Sequence, residues 1–121
     1  MRGISWYEAT AYAAFAGREL PTLYHWYYAD NKGDRNAMPG VLLPAANFES
    51  NAPRASANTS TVSAYGAVNM AGNVREWISN RTDRDQRLAV GGAFTDIAYQ
   101  YSQTIPRSAF DRAPDIGLRC M

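Results

Sequence analysis

VNMAGNVREW, residues 68–77, combines features that neither a plain strand nor a plain loop accounts for. Two asparagines and a glycine crowd a segment that closes on Glu76 and Trp77. A core strand does not carry so many turn formers, and a solvated loop does not carry the tryptophan. Gly72 and Asn73 are residue types that enter left-handed backbone conformations at low cost. The segment therefore reads as a tight turn running into a buried strand, and the question is whether the turn holds chemistry or only shape.

Outward from this segment the chain extends to 121 residues, 46% of them hydrophobic, enough for one compact unit with its own core. Its formal net charge of +1 gives no electrostatic reason to expect nucleic acid or an anionic membrane as partner. The arginines scatter from Arg2 to Arg119, as solvated side chains and local ion pairs do. No apolar run approaches the roughly 20 residues of a membrane helix. The start, MRGISWYEA, has no apolar core of a secretion signal, so a chain standing alone is expected in the cytoplasm. The same start reads as a cut into a strand, with upstream sequence expected. Sequons at Asn58 and Asn80 then read as chance matches. Cys120 is the only cysteine and His25 the only histidine, which excludes an internal disulfide and a zinc site built from several such ligands. A Ser-His-Asp arrangement through His25 is arithmetically open, but within LYHWYY a packed histidine is the simpler reading.

Residues 5–16 read as a helix, with Ser5 as N-cap and Glu8 completing a capping box. Ala9, Ala13 and Ala16 with Tyr12 are expected to form its packing face, and Gly17 its stop. A second helix follows Pro21, capped by Thr22, with Trp26 and Tyr27 toward the core. Gly33 to Gly40 reads as a loop. Val41 to Ser63 is rich in Pro, Ala, Asn and Ser, which suits a long surface excursion, either held by some tether or else partly disordered. Short strands are expected at EWIS, RLAVGGAF and IGLRCM.

GISWYEATAYAAFAGRELPT (3–22), HW (25–26), YGAVNMAGNVREW (65–77), GGAF (91–94) and GLRC (117–120), taken together and in this order, resemble the formylglycine-generating enzyme family. These proteins, also called sulfatase-modifying factors, have a C-type-lectin-like fold. The resemblance runs along residues 1–121 and corresponds to the C-terminal part of a family domain. The fold it implies is an N-terminally truncated α+β domain with two helices, short antiparallel strands and a high loop content.

In the family, the run N-x-x-G-N-x-x-E-W wraps a calcium ion. Carried onto this chain, the resemblance implies the Asn69 side chain, the Gly72 and Val74 carbonyls and the Glu76 carboxylate as ligands. Calcium takes six to eight hard oxygens and accepts backbone carbonyls, so the residue types suit it. The plainer alternative is that Asn69 and Glu76 cap turns by hydrogen bonding, with Trp77 packed beneath. A second family site starts at the pair here occupied by Asn47 and Phe48, but its later acidic ligand has no counterpart in ESNAPRASANTS.

Family oxidases hold copper(I) with two cysteines five residues apart after a GGS strand, and they oxidise a cysteine of a client sulfatase. On this chain the two positions are Asp96 and Tyr101, and one thiol, Cys120, cannot make a two-thiolate copper site. Cys120 falls on a family position that is structural, where it reads as a small buried hydrophobe. The ergothioneine-type sulfoxide synthases of a related branch use iron held by three histidines, and this chain has one. Neither copper nor iron is expected. Val90 replaces an arginine usual before GG, and Leu23 and His25 replace acidic residues usual after LPT.

TDIAYQYSQTIPRSAF instead offers Asp96, Tyr99, Tyr101, Gln103 and Arg107 as a candidate ligand-binding surface. The alternative is that the tyrosines cover the core and Arg107 pairs with Asp111. The resemblance therefore implies a calcium-stabilised, non-catalytic module that recognises a protein, peptide or small molecule. Its expected setting is a larger bacterial protein, such as a signalling kinase. The other readings are a formylglycine-generating oxidase and a retroelement-diversified binding protein. An edge left open by truncation would favour self-association.

Overall fold

Ser5, Glu8 and Gly17 bound the first helix as their chemistry requires. The computed structural model describes residues 1–30, 43–56 and 61–121. Helix α1, Trp6–Phe15, begins where the Ser5 hydroxyl accepts from the Glu8 amide and the Glu8 carboxylate accepts from the Ser5 amide at 2.8 Å. That reciprocal cap satisfies two otherwise open donors. The Ser5 amide is also the largest cause holding the Glu8 carboxyl below its usual range. Gly17, at φ +68°, ends the helix. Ala9 and Ala13 are buried, with Trp6 and Thr10 half-buried beside them. Tyr12 and Ala16, expected on this face, are exposed. Tyr12 lies one residue, about 100° of helix rotation, before Ala13, so it turns out of the stripe.

Helix α2, Leu23–Asp30, is capped as expected by the Thr22 hydroxyl, which accepts from the His25 amide at 3.2 Å. Trp26 is buried and Tyr27 packs half-buried beside it.

Among the described residues four strands follow: β1 (Arg75–Arg81), β2 (Arg87–Val90), β3 (Ile105–Arg107) and β4 (Ile116–Leu118), in the order β3-β2-β1-β4. β1–β2 and β2–β3 are antiparallel, whereas β4 joins β1 in parallel, with Leu118 opposite Trp77. Only antiparallel strands were expected. Two antiparallel steps already return β3 to the direction of β1. Residues 108–115 then carry the chain to the far edge of β1, where β4 enters in the same sense. Of RLAVGGAF only the first half is strand. Gly91 and Gly92, at φ +94° and +74°, turn the chain out of the sheet. Strand β3 was not anticipated. It contains Pro106 opposite Leu88, a placement open to proline only at a sheet edge.

Successive residues of a strand face opposite ways, and on β1 both faces are covered. Trp77 packs with Ala9, Ala13, Leu20, Ala89 and Ile116. Ile78 packs on the other side with Trp26, Met70 and Val90. The excursion before β1 is tethered. Asn73 donates its amide to the Asn47 carbonyl at 2.9 Å, Glu49 to Asp96 at 3.0 Å and Ser50 to Phe94 at 2.8 Å. The Gly33–Gly40 loop and sequon Asn58 lie outside the described residues. No helix among the described residues is long and apolar enough to cross a membrane.

Gly72 marks the tightest point of this tether. Its φ is +73°, and a Cβ there would stand 2.7 Å from the Asn47 carbonyl oxygen. Gly17 has a similar φ with open space around it. Gly17→Ala is therefore expected to cost about 1 kcal/mol, the strain of a left-handed alanine alone. Gly72→Ala adds displacement of the tether and should cost about 3 kcal/mol in denaturant titration. Equal costs at the two positions would show that the Asn47 contact carries no weight.

Candidate functional site

The turn formers of the 68–77 segment serve shape first. Asn69, Gly72 and Asn73 all have positive φ, at +52°, +73° and +68°. The Gly72 amide donates to the Gly91 carbonyl at 2.7 Å, fixing the turn against the end of β2. Asn73 clamps the excursion with both ends of its side chain. Its Oδ1 accepts from the Arg54 amide at 2.7 Å and from Asn47 Nδ2 at 3.1 Å, and its Nδ2 donates to the Arg54 carbonyl at 3.2 Å.

Beyond the turn, Asn69, Gly72, Val74 and Glu76 line one cavity of about 520 Å³. Arg2, Arg54 and Arg119 line it too, three guanidiniums against the single carboxylate of Glu76. That carboxylate is well occupied. Its Oε2 accepts from Trp26 Nε1 at 2.8 Å and from Arg119 Nε at 2.9 Å, and its Oε1 accepts from Arg119 Nη2 at 2.8 Å. Arg119 Nη2 also donates to the Val68 carbonyl at 2.8 Å. Burial opposes the Arg119 charge, but the adjacent Glu76 more than offsets it and holds the guanidinium above its usual range.

Whether calcium fits here is a matter of counting lone pairs. A carboxylate presents about four acceptor positions, and Arg119 Nε is shared with Oε1 at 3.1 Å, so two donor contacts already sit at each oxygen. The Asn69 amide oxygen receives a 3.5 Å contact from the Thr61 hydroxyl. One amide oxygen, two backbone carbonyls and a carboxylate already engaged by Trp26 and Arg119 fit a divalent cation poorly, since the ion would have to displace Arg119 and draw on water to complete six ligands. No group of three or more His, Cys, Asp or Glu among the described residues could hold a metal.

The Asn47 and Phe48 pair has a mechanical role. Asn47 is buried, donates to the Ala52 carbonyl and Asn73 at 3.1 Å each, and accepts from the Ser50 hydroxyl at 2.8 Å. The Phe48 ring lies between Gly72 and Gly92, where a Cβ would come within 3.0 and 2.8 Å of it.

The segment after GGAF divides into tied and open residues. Asp96 accepts from Arg75 Nη2 at 2.5 and 2.6 Å and from the Ala93 amide at 2.8 Å. Arg75 is buried and pairs also with Asp115. Arg107 pairs with Asp111 at 3.3 Å, the alternative the sequence offered, and reaches Asp115 at 3.7 Å. Asp96 and Arg107 are thus held inside the fold. Tyr101 is half-buried, its backbone against Gly92, and burial followed by the Asp30 charge pushes its hydroxyl pKa up. Tyr99 and Gln103 face solvent, on and just after a 3₁₀ helix at Ala98–Ser102. Cys120 is half-buried against the Trp77 cluster. His25 is exposed, its Nδ1 2.9 Å from the Thr22 hydroxyl, so it serves a helix cap.

Arg119 is the site residue that sequence reasoning missed. Its signal lay in GLRC, where attention to the cysteine hid the cation that a buried acid in REW requires.

A family profile described as "Sulfatase-modifying factor enzyme 1-like domain" matches residues 1–121. Formylglycine-generating enzyme of Streptomyces coelicolor is 35% identical over 96 residues, covering 64% of this chain and 31% of that protein. Serine/threonine-protein kinase pkn1 of Chlamydia pneumoniae is 35% identical over 82 residues, covering 62% of this chain and 13% of the kinase. Inactive C-alpha-formylglycine-generating enzyme 2 of Bos taurus is 29% identical over 119 residues, covering 78% and 38%. The chain therefore spans well under half the length of each of these relatives. Among solved structures, Treponema denticola variable protein 1 shares the fold with a TM-score of 0.70 and 21% identity, covering 84% of this chain and 46% of that one.

The Glu76–Arg119 pair yields a prediction independent of any ligand. Arg119→Met leaves a buried carboxylate with Trp26 alone and should cost about 3 kcal/mol. Adding Glu76→Gln to that variant removes the stranded charge and should recover more than half of the loss. A double-mutant cycle in urea reads both values, and additive costs would dissolve the pair.

Proposed function

The chain belongs to the sulfatase-modifying factor family, and from that premise we propose that it is a non-catalytic recognition module. The observation that supports this most directly is at Asp96. Where the family resemblance assigns a copper thiolate, this chain has a carboxylate bound to buried Arg75 at 2.5 Å. The second such position is Tyr101, and the sequence holds one thiol in all. The similarity to a relative named as an inactive formylglycine-generating enzyme and to a bacterial kinase is in keeping with a family domain used for recognition.

The contact face in this reading is narrower than the five residues read from sequence. It centres on Tyr99, which is 69% exposed, with Ile97 and Gln103 at its sides. The rigid layer beneath, from Phe48 through Gly92 to Asp96, holds these side chains on a fixed backbone and lowers the ordering cost of binding. The ligand class is a protein or peptide surface, to which an exposed aromatic beside an amide is suited.

A weak calcium site belongs to the same reading. The Asn69 side chain, the Gly72 and Val74 carbonyls and the Glu76 carboxylate, in competition with Arg119, would hold the ion, which would supply stability and no reaction step. With one carboxylate, already shared with Arg119, its affinity falls in the range of about 10⁻⁴–10⁻³ M.

Two outcomes test the module. Incubated with copper, oxygen and a cysteine-containing sulfatase peptide, the chain should yield no formylglycine by mass spectrometry, and turnover lost on Cys120→Ser would overturn the reading. Peptides selected from a displayed library on the native chain should lose about tenfold or more in affinity for Tyr99→Ala. Selected binders indifferent to both Tyr99 and Gln103 would remove the contact face.

For the ion, the melting temperature should rise only as calcium approaches the millimolar range, by mass action on the folded state. Arg119→Met should shift that response to lower calcium by freeing the carboxylate. A chain indifferent to both chelator and calcium would leave the Glu76 network as a purely internal clamp.

A further inference from the structure

A second cavity of about 490 Å³ opens where helix α1, the start of helix α2 and strand β2 meet. It shares no residue with the Glu76 cavity or with the Tyr99 face. Its wall carries Trp6, Thr10, Arg18, His25, Ser79 and Arg87. Glu19 is the only acidic side chain among the residues that line it, against two arginines.

The state of Arg87 sets this cavity apart. Its guanidinium carbon lies 3.9 Å above the Trp6 ring centre. That indole is itself fixed, donating from Nε1 to the Ile78 carbonyl at 2.9 Å. The other partly buried arginines, Arg75, Arg107 and Arg119, each pair with a carboxylate. Arg87 makes no ion pair or hydrogen bond through its side chain among the described residues, and its Nε is buried without a partner. A stacked guanidinium is held flat through its π face while its N–H donors stay unused. Nε is closed off, as it is in Arg75 and Arg107, so the two terminal nitrogens of Arg87 are the donors an incoming acceptor would engage.

We propose that this cavity binds a small organic carboxylate, with Arg87 as the anchoring fork. The planar guanidinium matches a carboxylate through two parallel hydrogen bonds. Arg18 adds long-range attraction, and the Thr10 and Ser79 hydroxyls lie on the same wall. Ala13, Ala14 and Leu20 supply an apolar floor for the body of the acid. The volume lies within the 300–1,000 Å³ typical of small-molecule sites. The site goes beyond the recognition reading and stands whether or not the Tyr99 face binds a partner.

Calorimetric and NMR titration of the full chain with phenylacetate, phenylacetamide and inorganic phosphate tests the proposal. Phenylacetate should bind saturably and about tenfold or more tighter than the neutral amide. It should move the Trp6 indole N–H resonance and leave that of Trp77, which is sealed against the Ile4 carbonyl. Arg87→Gln should remove about tenfold in affinity, and Arg87→Lys, which keeps charge without the fork, should recover only part of it. Equal binding of acid and amide, an unmoved Trp6 resonance, or saturation by phosphate but not phenylacetate would each overturn it. The Trp6 readout on the unmutated chain decides the matter even where a change at Arg87 loosens β2.

Discussion

The Glu76 carboxylate is the constraint around which the domain is organised. It sits on the central strand with its side chain 9% exposed, and it is answered by groups from distant parts of the chain. Trp26 donates from α2, and Arg119 donates from just past β4 while also reaching the Val68 carbonyl. A charge taken out of water is tolerated only with such compensation. Each of these segments must therefore be in its native place for the Glu76 charge to be compensated in the folded state. β4 runs with β1 and sets Gly117 opposite Glu76, so Arg119 lies two residues further on and its long side chain reaches the carboxylate. REW and GLRC are halves of one structural unit, separated by some 40 residues of chain.

This explains which features were legible in the sequence and which were not. Helix α1 was readable because its determinants are local: Ser5, Glu8 and Gly17 act within one or two turns. The family motifs gave the fold class, since they lie on the segments that make the core. Strand β3 was hidden because three residues containing Pro106 have no strand signal of their own, and β2 alone gives them their pairing. Tyr12 was misplaced because an alanine-rich helix offers little hydrophobic contrast, so one residue of rotation was undetermined. The roles of Asp96 and Arg119 were beyond local reading altogether. Each is fixed by a partner 21 or 43 residues away, and only the tertiary fold chooses among many arginines and acids.

The same logic separates rigid parts from available ones. Asp96 and Arg107, attractive as ligand contacts in sequence, are tied into a network with Arg75, Asp111 and Asp115. Phe48 fills the space between Gly72 and Gly92, so the segment after the glycines rests on a packed layer. What remains outside is a small set of side chains on a fixed backbone, Tyr99 and Gln103 above all. A scaffold that satisfies its own charges internally leaves its surface free to vary without loss of fold. Arg87 is the exception, a partly buried guanidinium held by an aromatic ring in place of an acid.

The Asp96 network also bears on how such a domain could lose or regain thiol chemistry. Arg75 is 6% exposed, and its charge is balanced by Asp96 and Asp115 together. Replacing Asp96 with cysteine would leave that guanidinium with Asp115 alone, and Asp115 is already shared with Arg107 at 3.7 Å. The Ala93 amide, which Asp96 caps at 2.8 Å, would lose its acceptor as well. A thiol at position 96 thus conflicts with Arg75 in the interior, and a second thiol at position 101 would still be required for a two-thiolate site. In this chain a thiol at position 96 would therefore disturb the buried network of Arg75, Asp96 and Asp115, a constraint beyond the two sulfur positions themselves.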